Sequence, residues 1–138
     1  AARRELDAWA DGADGLLALL ILLDQYPRNA FRGSGHMYAT DALARHFARR
    51  AIELGVHERV EAPLRLFWCL PFMHSEDAAD QHLAVALTTR LGPDSLPHAI
   101  EHRDIVLRFG RFPHRNPMLG RETTAEEAVF LQAGGFAG

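Results

Sequence analysis

From Leu16 to Leu23 nearly every position is apolar, so a helix here would be hydrophobic on all sides and would need other elements to cover it. The pattern predicts a central, buried helix. Pro27 is expected to stop it near Tyr26, because proline cannot donate to the helical ladder and disfavours helical geometry in the preceding residue. Ala39, Leu43, Phe47, Ala51 and Leu54 then recur at spacings of three and four, predicting an amphipathic helix capped by Ser34 and closed by Gly55.

Pro63 suits the first turn of a short buried helix from Leu64 to Phe72, ended by Pro71. Ser75 is expected to cap the next helix, with Glu76 and Asp77 against its positive end. Ala79, Leu83, Ala86, Leu87 and Leu91 form its inward stripe as far as Gly92. A further helix from Ser95 to Phe109 would turn Ala99, His102, Ile105, Val106 and Phe109 inward. Thr123 or Thr124, with Glu126 or Glu127 three residues on, reads as a capping box for a last short helix reaching Gln132. No stretch alternates with period two, so the pattern predicts an all-α domain of about six antiparallel helices with short connections.

A length of 138 residues allows one core and one domain, 1–138. The net charge of -3 gives no general attraction for nucleic acid or an anionic membrane, so neither is an expected partner and any basic site must be local. Every basic side chain is arginine; none is lysine. The lone Cys69 sits in the apolar run Leu66–Leu70, without the spacing of a disulfide, zinc or redox site, and reads as a buried thiol. The longest apolar run is far short of the roughly 20 residues a membrane span needs, and no leader is visible, so a cytoplasmic location is expected.

The chemistry gathers where helices break. Asp24 and Gln25 fall in the last turn of the apolar helix, where a carboxylate meets the negative end of the helix dipole and needs a cation such as Arg28. His74 either caps the helix before it or serves as a ligand or general base. Between His102 and Asn116 lie Arg103, Asp104, Arg108, Arg111, His114 and Arg115, a local positive excess that could grip a carboxylate or phosphate, or could pair with Asp24 and Glu76 to lock helix ends. His98 and His102, four apart, carry only a weak metal signal. Neither a phosphate loop nor a serine elbow is present, and no metal or cofactor is predicted.

Asp24-Gln25-Tyr26-Pro27-Arg28-Asn29, Met73-His74-Ser75-Glu76-Asp77, His102-Arg103-Asp104 and Gly110-Arg111-Phe112-Pro113-His114-Arg115-Asn116, in that order, resemble the bacterial family called domain of unknown function 924 across essentially the whole chain. The resemblance implies a tetratricopeptide-like fold, with antiparallel helix pairs stacked into a right-handed superhelix that presents a concave groove. It implies no established activity. Members of that family carry a further N-terminal segment with a Phe-Trp start, so this chain is expected to be truncated relative to them.

Three functions follow as expectations. The first is a binding module whose Arg- and His-rich groove takes an acidic peptide, a protein or a small anion. The second is a hydrolase using Asp24 or Glu76 with His74, His102 or His114 and arginines that stabilise developing negative charge. The third is purely structural, the motifs tying helix ends together. The candidate residues are Asp24, Gln25, Arg28, His74, Glu76, His102, Arg103, Arg111, His114 and Arg115.

Overall fold

The computed structural model describes residues 1–137. Among them the elements are α1 (Ala13–Leu20), a π turn (Ile21–Gln25), α2 (Tyr26–Ala30), α3 (Asp41–Glu53), α4 (Leu66–Met73), α5 (Ala78–Thr89), α6 (Leu96–Phe109) and α7 (Ala125–Gln132), joined by short 3-10 turns. α1, the π turn and α2 run on without a break, so the described residues form six helical rods and no strand.

Pro27 does not end the first rod. The chain widens just ahead of it, with the Tyr26 N–H reaching back five residues to the Ile21 carbonyl. The Leu23 carbonyl, which a residue with an N–H at position 27 would have bonded, instead accepts the Thr40 hydroxyl at 2.5 Å. A side chain from the next connection thus replaces the bond that proline removes. Burial of this rod is also less complete than its sequence predicts: Leu16, Leu19, Leu20 and Leu23 are almost wholly covered, but Ile21 is 37% exposed.

Pro71 likewise lies inside α4, which continues to Met73. The carbonyls of Met73 and Ser75, beyond the proline, are met by the buried Gln81 amide at 2.8 and 2.6 Å. α3 starts at Asp41 rather than after Ser34, which instead precedes a 3-10 turn over Gly35–Tyr38; Leu54 consequently falls at the exposed C-terminal end.

α5 departs furthest from expectation. Its cap is Asp77, whose carboxylate accepts from the Ala79 and Asp80 amides, while the Ser75 hydroxyl donates to Asp80 at 2.7 Å. Its inward residues are Asp80, Gln81, Ala84 and Thr88, and Ala79 and Ala86 face outward. The helix is thus rotated relative to its apolar stripe because three of its buried positions are polar and find partners: Asp80 in Arg45, Arg49 and Ser75, the Gln81 amide N–H groups in the carbonyls of Met73 and Ser75, and Thr88 in the Ala84 carbonyl. α6 buries Ala99, His102, Ile105 and Val106 as expected, and the capping box of α7 forms between Thr124 and Glu127.

From α1 to α6 each rod packs on the next, α1 on α3, α3 on α4, α4 on α5 and α5 on α6, with further contacts of α1 with α4 and α4 with α6. Gly110, at φ 70°, closes α6 in the left-handed conformation, and the chain then turns back over the start of α3 and the end of α4. Opposite it the 35–38 turn approaches so closely that a Cβ on Gly35 would sit 2.9 Å from the Met118 carbonyl. The polar motifs meet in the space between.

Candidate functional site

Asp24 occupies the π turn and is 1% exposed. Its Oδ1 lies 2.8 Å from His74 Nδ1 and 3.0 Å from the Arg28 guanidinium, and its Oδ2 accepts the Gln25 amide at 2.5 Å. Burial alone would push this carboxyl's pKa up, but His74 and Arg28 outweigh it and hold the group below the usual carboxylate range. Arg28 reaches on to Asp41 at the start of α3 in a two-pronged bond of 2.8 and 3.0 Å. One carboxylate therefore orients His74, and a second orients Arg28.

His74 ends α4. With Nδ1 committed to Asp24, its Nε2 has no protein partner among the described residues and is the ring atom left for a ligand. Its carbonyl accepts the Arg115 guanidinium at 2.9 Å. Arg115 is nearly buried, with its guanidinium carbon 4.5 Å from the centres of both the Tyr38 and Phe112 rings and 3.7 Å between its Nη1 and Asp41. Burial pushes its pKa down and Asp41 opposes this. Its Nε is buried without an acceptor.

Two more histidines close the far side. His102 Nδ1 bonds the His98 carbonyl at 2.7 Å, which takes that nitrogen out of any metal pairing of the two rings. Its ring stacks 4.5 Å from Phe136 and lies 6.4 Å from His74. His114 meets Phe136 edge-on with ring centres 5.1 Å apart, and its buried Nδ1 has no partner among the described residues. Burial, followed by neighbouring positive groups, drives His114 down to about 4; for His102 burial is again the first cause and brings it to about 4. Both rings are therefore neutral at physiological pH.

These groups enclose a pocket of about 120 Å³ lined by Arg28, Arg32, Arg115, His74, His102 and His114 together with Met37, Tyr38 and Phe136. Three guanidiniums and three imidazoles face it, and no carboxylate among the described residues does. Asp24 and Asp41 stand behind its walls. A wider, open cleft of about 470 Å³ adjoins it across Tyr38, His74 and Arg115, and that cleft is lined by Asp41, Glu76 and Asp77.

Of the residues predicted from sequence, Asp24, Gln25, Arg28, His74, His102, His114 and Arg115 converge here. Glu76 does not contact helix α5's amides; it crosses to Arg121 at 2.7 and 2.9 Å and accepts the Phe112 amide at 2.8 Å, joining the walls of the open cleft. Burial raises its pKa, but Arg121 and the Phe112 amide bring it below the ordinary value. Arg103 and Arg111 are elsewhere. Arg103 pairs with its neighbour Asp104 on the outside of α6, and Arg111 turns the other way to Glu127 at 2.6 and 2.9 Å, anchoring α7. That bond, with the Thr124 amide, holds Glu127 down to about 2.

Sequence reasoning missed Arg32, Tyr38, Asp41, Arg121 and Phe136. A visible signal existed only for Asp41, an acid in the first turn of a helix. The others are recruited from turns and termini by long-range contacts.

None of the curated proteins matches the chain. A solved structure of a protein of unknown function from Agrobacterium tumefaciens is similar at 59% identity and a TM-score of 0.94, over 96% of this chain and 76% of that one. The model of a family described as bacterial protein of unknown function matches residues 1–135, which include all four motifs that line or brace this pocket. By that match the chain belongs to the DUF924 family of bacterial proteins of unknown function.

Proposed function

We propose that the chain is a binding module for a small organic anion, taken up in the pocket between Arg28, Arg32, Arg115 and the three histidines. The observation that carries this reading is a cavity of about 120 Å³ that receives three arginines and, among the described residues, no acid. Arg32 has no ion-pair partner among the described residues, and Arg115 keeps an unused Nε–H, so capacity for a further anion remains after Asp24 and Asp41 are satisfied. A small anion fits better than an acidic peptide, because a peptide would have to lie in the adjoining cleft, where Asp41, Glu76 and Asp77 outnumber Arg45 and Arg115. The successive and alternate contacts among rods support a tetratricopeptide-like array as the scaffold.

Titration with inorganic phosphate and with acetate, followed by the histidine ring signals, tests the reading. His74 and His114 should move saturably, and Arg32→Ala, a surface change, should weaken binding about tenfold. Unsaturated movement with both anions, or full affinity in Arg32→Ala, contradicts it.

A second reading is a hydrolase, favoured by the Asp24–His74 pair. Nδ1 held at 2.8 Å by a buried carboxylate leaves Nε2 to accept a proton from water as that water attacks a small ester, and to return it to the leaving oxygen. Water is the nucleophile this site offers, since no serine, threonine or cysteine among the described residues lines the pocket. Turnover of small carboxylic and phosphoric esters that disappears in His74→Gln would support it; inertness of the wild type toward both classes would remove it.

A further inference from the structure

A second pocket lies apart from this one and shares no lining residue with it. It has a volume of about 130 Å³ and sits between the start of α4, the end of α5 and the 3-10 turn at Val56–Glu58. Trp68, Cys69, Leu87 and Leu91 supply its apolar walls, and Arg65 and Arg90 its positive charge. Burial pushes the Cys69 thiol up to about 11, so the sulfur is a neutral wall and no nucleophile.

Two of the lining side chains carry buried polar atoms with nothing to bond: the indole Nε1–H of Trp68, a residue 2% exposed, and Nδ1 of His57. An indole N–H can only donate, so it calls for an acceptor that the described residues do not supply. Arg65 is committed to the Val60 and Glu58 carbonyls at 3.1 and 3.0 Å, which fixes its stem against the wall. Arg90 has no hydrogen bond or ion pair from its side chain among the described residues, although it stands at the same rim. The acid present, Glu58, is 70% exposed at its side chain and 3.9 Å from His57 Nε2, so it does not occupy the interior.

From this combination we infer that the pocket binds a compact monocarboxylic acid with an aromatic or branched apolar body, its carboxylate accepting from the Trp68 indole and facing Arg90. The volume limits the apolar body to about one ring, since an apolar protein cavity of about 150 Å³ holds benzene and this pocket is slightly smaller. The charge sets the head group, because Arg65 and Arg90 together exceed Glu58. This site is independent of the anion pocket proposed above.

Benzoate is the probe. The chain has two tryptophans, so Trp9→Phe, a change at a half-exposed residue, leaves Trp68 as the sole indole N–H resonance. On titration into the millimolar range that resonance should shift saturably. Arg90→Ala, on the surface, should weaken the affinity about tenfold by removing the charge-assisted contact, and Arg32→Ala, which belongs to the other pocket, should leave it unchanged. Trp68→Phe, followed by calorimetry, should lose the binding with its amide spectrum otherwise folded. The inference is overturned if the indole signal does not saturate, if Arg90→Ala binds benzoate as the wild type does, if Arg32→Ala abolishes the shift, or if a benzoate-soaked crystal shows only a water on the indole nitrogen.

Discussion

Two aspartates, Asp24 and Asp80, are buried to nearly the same degree, at 1% and 2% exposure, and both are answered by arginine, Asp24 by Arg28 one turn on in its own rod and Asp80 by Arg45 and Arg49 of α3. Around Asp80 the partners Arg45, Arg49 and Ser75 close on the carboxylate, and only the outer sides of Arg45 and Ser75 border the open cleft. Around Asp24 the partners are His74 and Arg28, and each turns another face to a cavity that also receives Arg115, Arg32 and two neutral histidines. Residue type and burial do not distinguish a structural knot from a site. What distinguishes them is where the cations are spent: Arg45 and Arg49 both bond Asp80, whereas beside Asp24 the pocket also receives Arg32, which meets no carboxylate among the described residues.

Among single substitutions the largest effect should come from breaking the closed knot. Asp80→Ala deprives two arginines and a buried hydroxyl of their shared acceptor, and should lower stability by about 3 kcal/mol in chemical unfolding while leaving anion affinity intact. Loss of anion affinity in that variant would erase the distinction between the two regions.

The difference between them is also where sequence reading succeeds and where it stops. Helix α6 and the capping box of α7 were legible because their inward residues and caps lie within one element and follow its periodicity. The breaks beside Pro27 and Pro71 were legible as places where polar groups collect, yet neither proline ends its helix. The Thr40 hydroxyl and the Gln81 amide that satisfy the neighbouring carbonyls come from other parts of the chain. The same reason hides the polar inward face of α5, since Asp80 and Gln81 are tolerable inside only with partners that local pattern does not reveal. Asp24, His74 and Arg115 were found as motifs; Tyr38, Asp41 and Phe136, which complete the pocket, have no local signature that marks them as neighbours.

Acid should sharpen the contrast next. His102 and His114, both held near 4 by burial, bind protons in the unfolded chain from about pH 6.5 downward but not in the folded one. Stability is therefore full above about pH 6.5 and should fall toward pH 4, at up to about 1.4 kcal/mol per pH unit for each ring. Asp24, Glu76 and Glu127, whose folded pKa values are lowered, add a loss of the same sign below their ordinary range. Urea midpoints measured across this interval check it. A flat profile between pH 6.5 and 4.5 would mean the two rings are not sealed in neutral form.

Asp24→Asn keeps the shape and removes the charge that orients His74. It should cost roughly 1 to 3 kcal/mol, and the histidine ring signals should show His74 losing its fixed tautomer. The comparable change at Asp80 should leave the His74 signal where it was.

The smallest effect on stability should belong to Arg32→Ala, within about 0.5 kcal/mol, because the side chain is exposed and unpaired among the described residues. That variant is also the most direct probe of the central claim, that the cations around Asp24 are in excess and take an external anion. In a titration of wild type and Arg32→Ala with inorganic phosphate, the account predicts saturable shifts of the His74 and His114 rings in the wild type. It also predicts no shift of His82 on the outer face of α5, and affinity about tenfold weaker in the variant. Shifts that never saturate, or equal affinity in the two proteins with unchanged folding, would contradict it.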